Sequence, residues 1–481
     1  MFVRRTRTTA VASLALLNAF TLAAGVAVAH MLPPRLAALH IPVAAARPLI
    51  GAGQVLAPAG ATQASAMPTA SGLATMLGAA LPAADTGPGV GIEVSDAQTG
   101  QVLYQSNAAA LATPGSTTKL VTAAAALAVL GRDARFTTRV RQEGGTIVLV
   151  GGGDPTLAVN AYPSSDYPQP ATLAALAAST ARALKAQRRN SVRLGYDTSL
   201  YSGPGMAPGW SDGYISDGDV TPIVALEADQ GRLTARGTLE DSDDPVNYRA
   251  RTTDPAGMTA AAFASLLGQD GITVTGAATP VAAQTSASVI ASVKSPPLAG
   301  IVEQMLQESN NVIAENLARQ VAIAMGKPAT FSGAAAAELA ELRRLGVATP
   351  ITLVDGSGLS PDDGIAPETL VRLLTVAAVT PRLGDLISGL PVAGFSGTLS
   401  KGDSDFGGIG ALDGGAARGV VRAKTGNLAT IASLAGLAYD RDRRLLLFAI
   451  MAPNIPNAGL LQPAATAIDQ AAAGLAKCGC K

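Results

Sequence analysis

TPGSTTKLVTAAAALAVLG, residues 113–131, is a loop feeding a helix that Gly131 ends. It places Ser116 and Lys119 three residues apart, at the helix start, ahead of a purely apolar run. Positions i and i+3 share a helix face, so the Lys119 amine can reach the Ser116 hydroxyl. The helix N-terminus adds positive potential and unpaired backbone N–H groups. That potential, apolar burial and any second cation nearby all lower a lysine pKa. A lysine shifted in this way can take a proton from serine, and the Ser116 N–H would face a developing oxyanion. The ordinary alternative is a serine near a helix start beside a snorkelling lysine. Two features weigh against it. The chain has only eight lysines and no other S-x-x-K, and Lys119 is the only charge on its helix.

The rest of the composition narrows the chemistry. The chain has 481 residues, enough for two or three domains, with 48% apolar and 4% aromatic residues. Basic and acidic residues balance at 35 each, and no basic stripe supports nucleic-acid binding. Both histidines, His30 and His40, lie near the N-terminus, and both cysteines, Cys478 and Cys480, at the C-terminus. The body between them therefore excludes His/Cys zinc sites and Ser-His-Asp or Cys-His catalysis. No D-x-D-x-D-G calcium loop occurs either, and no cofactor or metal is expected. A nucleophilic mechanism here needs Lys, Asp, Glu or Tyr as its base.

Arg4, Arg5 and Arg7 precede an uncharged stretch, Thr8 to Ala29, ending in Ala27-Val28-Ala29. This fits a cleaved signal peptide over residues 1–29, and the stretch is also about long enough for a retained membrane anchor. Either way the body is expected to be exported to the cell envelope. Residues 30–85, rich in Ala, Pro and Gly, read as a linker. The terminal Cys-Gly-Cys can oxidise in an exported protein. A ring closed over one residue would be strained, so free thiols or an intermolecular bridge stand as alternatives.

Along the body, GVGIEVSDAQTGQVLYQSN alternates as a hairpin, and RFTTRVRQEGGTIVLVGGGDPTL forms a second one around its glycines. ATLAALAASTARALKAQ is helical, SVRLGYD a strand, and AAAFASLLGQDGITVTG a helix, glycine turn and strand. Helices dominate from Leu298. The stretch 420–453 reads as successive antiparallel strands with an Asp-Arg-Asp turn, and an Ala-rich helix closes the chain. Strands at both ends with helices between them predict one α/β unit over 86–135 and 296–481, interrupted by a strand-rich insertion over 136–295.

Two further elements join Ser116 and Lys119. In ESNNVIAENLAR, Ser309-Asn310-Asn311 should be a loop just before a helix starting at 312, since residues i and i+2 face together only off a helix. A hydroxyl there can relay protons, and an amide can hold a carbonyl. In RAKTGNLA, Lys424 and Thr425 suit a carboxylate, and Gly426 removes bulk so that an extended ligand can approach the strand edge. Each element alone has an ordinary reading, as a capping loop or a strand before a turn. S-x-x-K, S-x-N and K-T-G in this order are the trio of penicillin-binding proteins and class A β-lactamases.

Over about residues 85–476 the chain resembles the D-alanyl-D-alanine carboxypeptidase/endopeptidases among class C low-molecular-mass penicillin-binding proteins, peptidase family S13. Beyond the trio, the likeness rests on VGGGDPTL, GWSDGYISDGDVTPIVAL, DGSGLS and LPVAGFSGTLSKG. It implies a β-lactamase-like transpeptidase domain, an antiparallel sheet flanked by helices plus an all-helical part, with an insertion between S-x-x-K and S-x-N. It also implies peptidoglycan stem peptides as substrate and β-lactams as inhibitors, with membrane association through the N-terminus as one option. By the resemblance, Ser116 is the nucleophile and Lys119 the base. Ser309 passes the proton on and Asn311 holds the peptide. Lys424 and Thr425 bind the terminal carboxylate beside Gly426, and the N–H groups of Ser116 and Asn427 form the oxyanion hole. Asn310 and Asn427 depart from the Asp and Thr that many relatives carry, and DGSGLS reads as a structural turn. A β-lactamase shares the trio but needs fast deacylation, and no convincing E-x-x-L-N segment is present. A non-catalytic penicillin-sensing wall-binding protein would keep the fold without turnover.

Overall fold

The computed structural model describes residues 66–234, 250–347, 350–400, 415 and 417–480. The expected signal or anchor, the linker as far as residue 65, and Lys401-Gly402 lie outside them.

A five-stranded sheet organises the fold. Strands β1 (Gly91–Asp96) and β2 (Val102–Ser106) come from the start of the body. β11 (Val421–Leu428), β12 (Ile431–Tyr439) and β13 (Leu445–Ala452) come from its end, after a separate pair of two-residue strands, β9 (Ile351–Thr352) and β10 (Gly364–Ile365). The order is β11-β12-β13-β1-β2, antiparallel throughout. β12 and β13 are apolar on both faces because both faces are covered. Leu447, Ala449 and Met451 point into one core, and Leu446, Phe448 and Ile450 into the other. The second core holds the last helix, α9 (Leu461–Lys477). Helix α1 (Ala70–Ala80) packs there too, burying Leu73 and Leu77. Residues 70–80 therefore correct the linker reading: one leucine per turn gives this Ala-rich segment a face to bury. Thr69 caps α1 and bonds through its N–H to the Cys480 carbonyl, and Cys478 and Cys480 are paired with each other.

The first core is all-helical on its far side. It contains α2 (Lys119–Leu130), α5 (Leu298–Gln307), α6 (Asn311–Ala324), α7 (Phe331–Arg344) and α8 (Pro367–Val379). Residues 119–127 of α2 are all buried, which explains the missing charges: a helix enclosed on every side has no polar face.

A second sheet lies within residues 137–294. It is built on β3 (Thr137–Glu143), β4 (Thr146–Val150), β5 (Ser191–Asp197), β6 (Thr273–Val274) and β8 (Ser288–Lys294), with a two-residue β7 (Thr279–Pro280) beside β5. Helices α3 (Leu173–Ala186) and α4 (Pro255–Gln269) share its core, through residues such as Leu176, Leu184, Phe263 and Leu267. The segment around residues 201–225 leaves this sheet and packs on the helical part. Trp210 meets Phe331 edge-on at 5.3 Å, and its indole N–H donates to Asp355 at 2.7 Å. Residues 201–225 thus touch the start of α7 and the turn at 355–360.

Candidate active site

Ser116 sits on a 3-10 turn, Gly115–Thr118, that runs into α2. Gly115 has φ 54°, and a Cβ there would lie 3.1 Å from the Asn427 nitrogen, so the turn and strand β11 are in close contact. Thr117 Oγ1 and Ser433 Oγ donate to the Pro114 carbonyl at 2.8 and 2.6 Å. Ser433 on β12 ties the turn to the sheet, its Oγ lying 3.2 Å from the Gly426 carbonyl as well, and Thr117 braces the turn from within. Gly426 faces the same turn: a Cβ would lie 2.5 Å from the Pro114 oxygen and 2.9 Å from the Thr117 nitrogen. The bulk it omits makes room for the nucleophile's turn, where the sequence suggested room for a ligand.

Lys119 is fully buried, and its Nζ has three neighbours: Ser116 Oγ at 2.8 Å, Asn311 Oδ1 at 2.6 Å and the Ser357 carbonyl at 2.8 Å. The two carbonyl oxygens can only accept, whereas the serine hydroxyl can donate. A neutral amine in this site therefore gives its two protons to Asn311 and Ser357 and turns its lone pair to Ser116. Asn311 is held in the required orientation because its Nδ2 donates to the Asp219 carbonyl at 3.0 Å. Burial brings the Lys119 pKa down to about 7, against the opposing pull of Asp355, Glu315, Asp219 and Asp363. Desolvation is thus the main cause, ahead of the helix end and second cation expected from sequence.

Ser309 lies between α5 and α6 with φ 52°, a left-handed conformation that stops one helix before the next begins. Asn310 caps α6, accepting from the Ile313 N–H at 3.1 Å and donating to Gln230 at 2.8 Å. The helix starts at Asn311, one residue earlier than expected. Its cap turns Ser309 toward Lys424, whose Nζ lies 2.9 Å from Ser309 Oγ and 2.8 Å from the Thr425 carbonyl.

β11 is an edge strand, and its exposed side can be read from its partners. The Ala423 N–H bonds Pro391, and the Val421 carbonyl accepts from Ala393, both away from β12. Strand alternation then points the N–H groups of Thr425 and Asn427 the same way. Among the described residues, those around 391–393 cover the edge as far as Ala423, and the edge beyond it opens onto a cleft of about 480 Å³. Ser116, Ser309, Asn311, Thr425 and Asn427 line it.

Sequence reasoning missed several residues of this site. Asp219 and Tyr214, from the insertion, and Thr398 also line the cleft. All three lie in stretches that carried the family resemblance, GWSDGYISDGDVTPIVAL and LPVAGFSGTLSKG, but no role was read from them. DGSGLS is a turn, as read, but it bears on the site. Asp355 accepts from the N–H groups of Ser357, Gly358 and Ser360 at 3.0, 2.6 and 2.7 Å. Glu315, pushed up to about 8 by burial first and then by Asp355, accepts from the Ser357 N–H at 2.8 Å. Together they present the Ser357 carbonyl to Lys119.

The model of the D-Ala-D-Ala carboxypeptidase 3 (S13) family matches residues 76–238 and 216–476. Carboxypeptidase DacB of Mycolicibacterium smegmatis is 40% identical over 421 residues, 86% of this chain and 85% of that one. A carboxypeptidase of Mycobacterium tuberculosis is 38% identical over 430 residues, 86% of both chains. Among solved structures, penicillin-binding protein 4 (dacB) of Haemophilus influenzae shares the fold, with TM-score 0.63 at 22% identity over 80% of this chain and 93% of that one.

Proposed function

This chain belongs to the D-Ala-D-Ala carboxypeptidase 3 (S13) family, and from that premise we propose how its cleft performs serine DD-peptidase chemistry on peptidoglycan stem peptides. The observation that carries the reading is the Lys119 amine, buried and oriented by two carbonyl acceptors so that its free electron pair meets Ser116. The peptide lies along the open edge of β11. Antiparallel pairing runs it from the Asn427 side toward Thr425, so its C-terminus stops where the 391–393 segment covers the strand. An enzyme that takes chain ends needs such a stop.

Ser116 Oγ attacks the carbonyl between two D-alanines as its proton passes to Lys119. The N–H groups of Ser116 and Asn427 hold the oxyanion. The C–N bond then breaks, the proton reaches the leaving amine by way of Ser309, and water hydrolyses the ester. Lys424 and Thr425 receive the terminal carboxylate. β-Lactams acylate Ser116 in the same manner. The same chemistry on a D-Ala linked to a diamino acid is endopeptidase action. The basic, apolar N-terminus suits export to the envelope, which N-terminal sequencing of the mature protein tests.

Intact mass after penicillin treatment should show one adduct, on Ser116, absent from Ser116→Ala and from Lys119→Ala. D-Ala release from a peptide ending in D-Ala-D-Ala should vanish in Ser116→Ala. An adduct lasting on the order of minutes to hours fits a peptidase, whereas sub-second turnover would make the protein a β-lactamase.

A further inference from the structure

We propose that Thr398 is a second reader of the substrate's terminal carboxylate, acting with Thr425 as a coupled pair of hydroxyls that selects peptides with a free C-terminus. The inference rests on the DD-peptidase reading and gives a role to a residue outside the trio, inside the stretch LPVAGFSGTLSKG, to which the resemblance assigned none.

Thr398 lies on the turn Gly397–Leu399, is 5% exposed, and lines the cleft. Its Oγ1 is 2.9 Å from Thr425 Oγ1, itself 3% exposed. Two hydroxyls hold two protons, and one hydrogen bond between them uses one. The other proton finds no acceptor among the described residues. If Thr425 donates, the Thr398 O–H remains free; if the pair reverses, the Thr425 O–H remains. Either way the pair offers exactly one donor, and both side chains reach the cleft. A hydroxyl proton facing the cleft has solvent as its partner until a ligand acceptor takes that place.

The surroundings specify an anion. Lys424 is fully buried, with its Nζ donating to the Thr425 carbonyl at 2.8 Å, so an N–H donor stands beside the pair. A carboxylate accepts through both oxygens and never donates, which suits one hydroxyl proton beside a lysine N–H donor. A C-terminal amide offers the pair a carbonyl oxygen as acceptor but no charge, so the bond it makes is the weaker one.

The turn is also built to stay in place. The Gly394 N–H bonds the Leu399 carbonyl at 2.7 Å, and Val392 bridges Arg422 on β11. Gly397 packs against Gln307, where a Cβ would lie 2.8 Å from the Gln307 carbonyl oxygen. The segment that covers the edge of β11 thus delivers Thr398 to the point where an extended peptide must end.

The test compares Thr398→Val and Thr398→Ser with the unsubstituted enzyme on two ligands, a peptide ending in D-Ala-D-Ala with a free carboxylate and the same peptide as its C-terminal amide. Valine should lower kcat/KM for the acid by about 10- to 100-fold, the worth of a hydrogen bond to a charged group, and change the slow amide reaction less than about two-fold. Serine should restore the acid rate to within about three-fold. Penicillin and its methyl ester, compared by acylation rate, should show the same selective loss. Equal losses on acid and amide, or none on either, would overturn the inference. If Thr398→Val does not fold, Thr398→Ala read with the same ligands decides the matter. If the unsubstituted enzyme neither releases D-Ala nor takes up penicillin, the DD-peptidase reading itself has failed. If it does both while the valine variant keeps the full preference for the acid, only this proposal has.

Discussion

At Lys119 the protein solves a problem of charge by subtraction. An amine sealed in an apolar helix bundle sheds its proton near neutrality, and three contacts settle which way its lone pair points. Acylation requires the neutral form, so kcat/KM for acylation should rise with pH through about 7, which stopped-flow penicillin acylation would follow. Lys119→Ala should slow acylation by about 10²- to 10⁴-fold and remove that rise. Asn311→Asp tests the electrostatics in the opposite direction. A carboxylate replacing the amide 2.6 Å from Nζ favours the ammonium, so the rising limb should move to higher pH by about one unit or more and the rate at pH 7 should fall. A limb that stays in place would show that another group sets the profile. The S-x-x-K spacing made the pair legible from sequence. The cause of the shift was legible only in part, because complete burial is a property of the assembled bundle.

Among the elements, the contact between β11 and the nucleophile's turn is the most exacting. Gly426→Ala would push a methyl group against the Pro114 carbonyl. It should cost about 1–3 kcal/mol in a urea melt and depress acylation of Ser116 as the turn shifts. Unchanged acylation would return Gly426 to the ligand-clearance role suggested by sequence. Local pattern identified most elements: SVRLGYD is β5 from Ser191 to Asp197, and the last two strands are the apolar runs on either side of the Asp-Arg-Asp turn. The misses have physical reasons too. α1 hid in an Ala- and Gly-rich stretch with two leucines to bury, and the start of α6 is set by a cap at Asn310 rather than by periodicity. Thr398 and Asp219 lie in stretches that carried the resemblance, but nothing in their spacing ties them to the trio; tertiary contact brings them to the cleft.

Across the whole molecule, buried acids accumulate between the insertion and the helical part. Burial raises Asp154 to about 6 and Glu227 to about 8, and Glu315 near the site also stands at about 8. Each binds a proton in the folded state that the unfolded chain has released between its ordinary pKa and these values. Stability from them is therefore full below about pH 4 and is lost as pH rises through the folded values. Lys119 acts oppositely, adding stability only above about 7, where the folded amine is already neutral and the unfolded one is still charged. The urea midpoint should thus fall from pH 5 to pH 7. Glu227→Gln, which mimics the neutral acid beside Asn316, should flatten that fall with little change at pH 5. A slope unaffected by the substitution would place the linkage elsewhere.

The partly covered edge of β11 has a last consequence, for behaviour in concentrated solution. An unprotected rim on a central sheet invites other chains to join it and seeds aggregation. Here the 391–393 segment occupies one end of that rim, and what remains lies recessed in the cleft beside the nucleophile's turn. The protein can therefore keep a strand permanently available to passing peptides without becoming a template for its own copies.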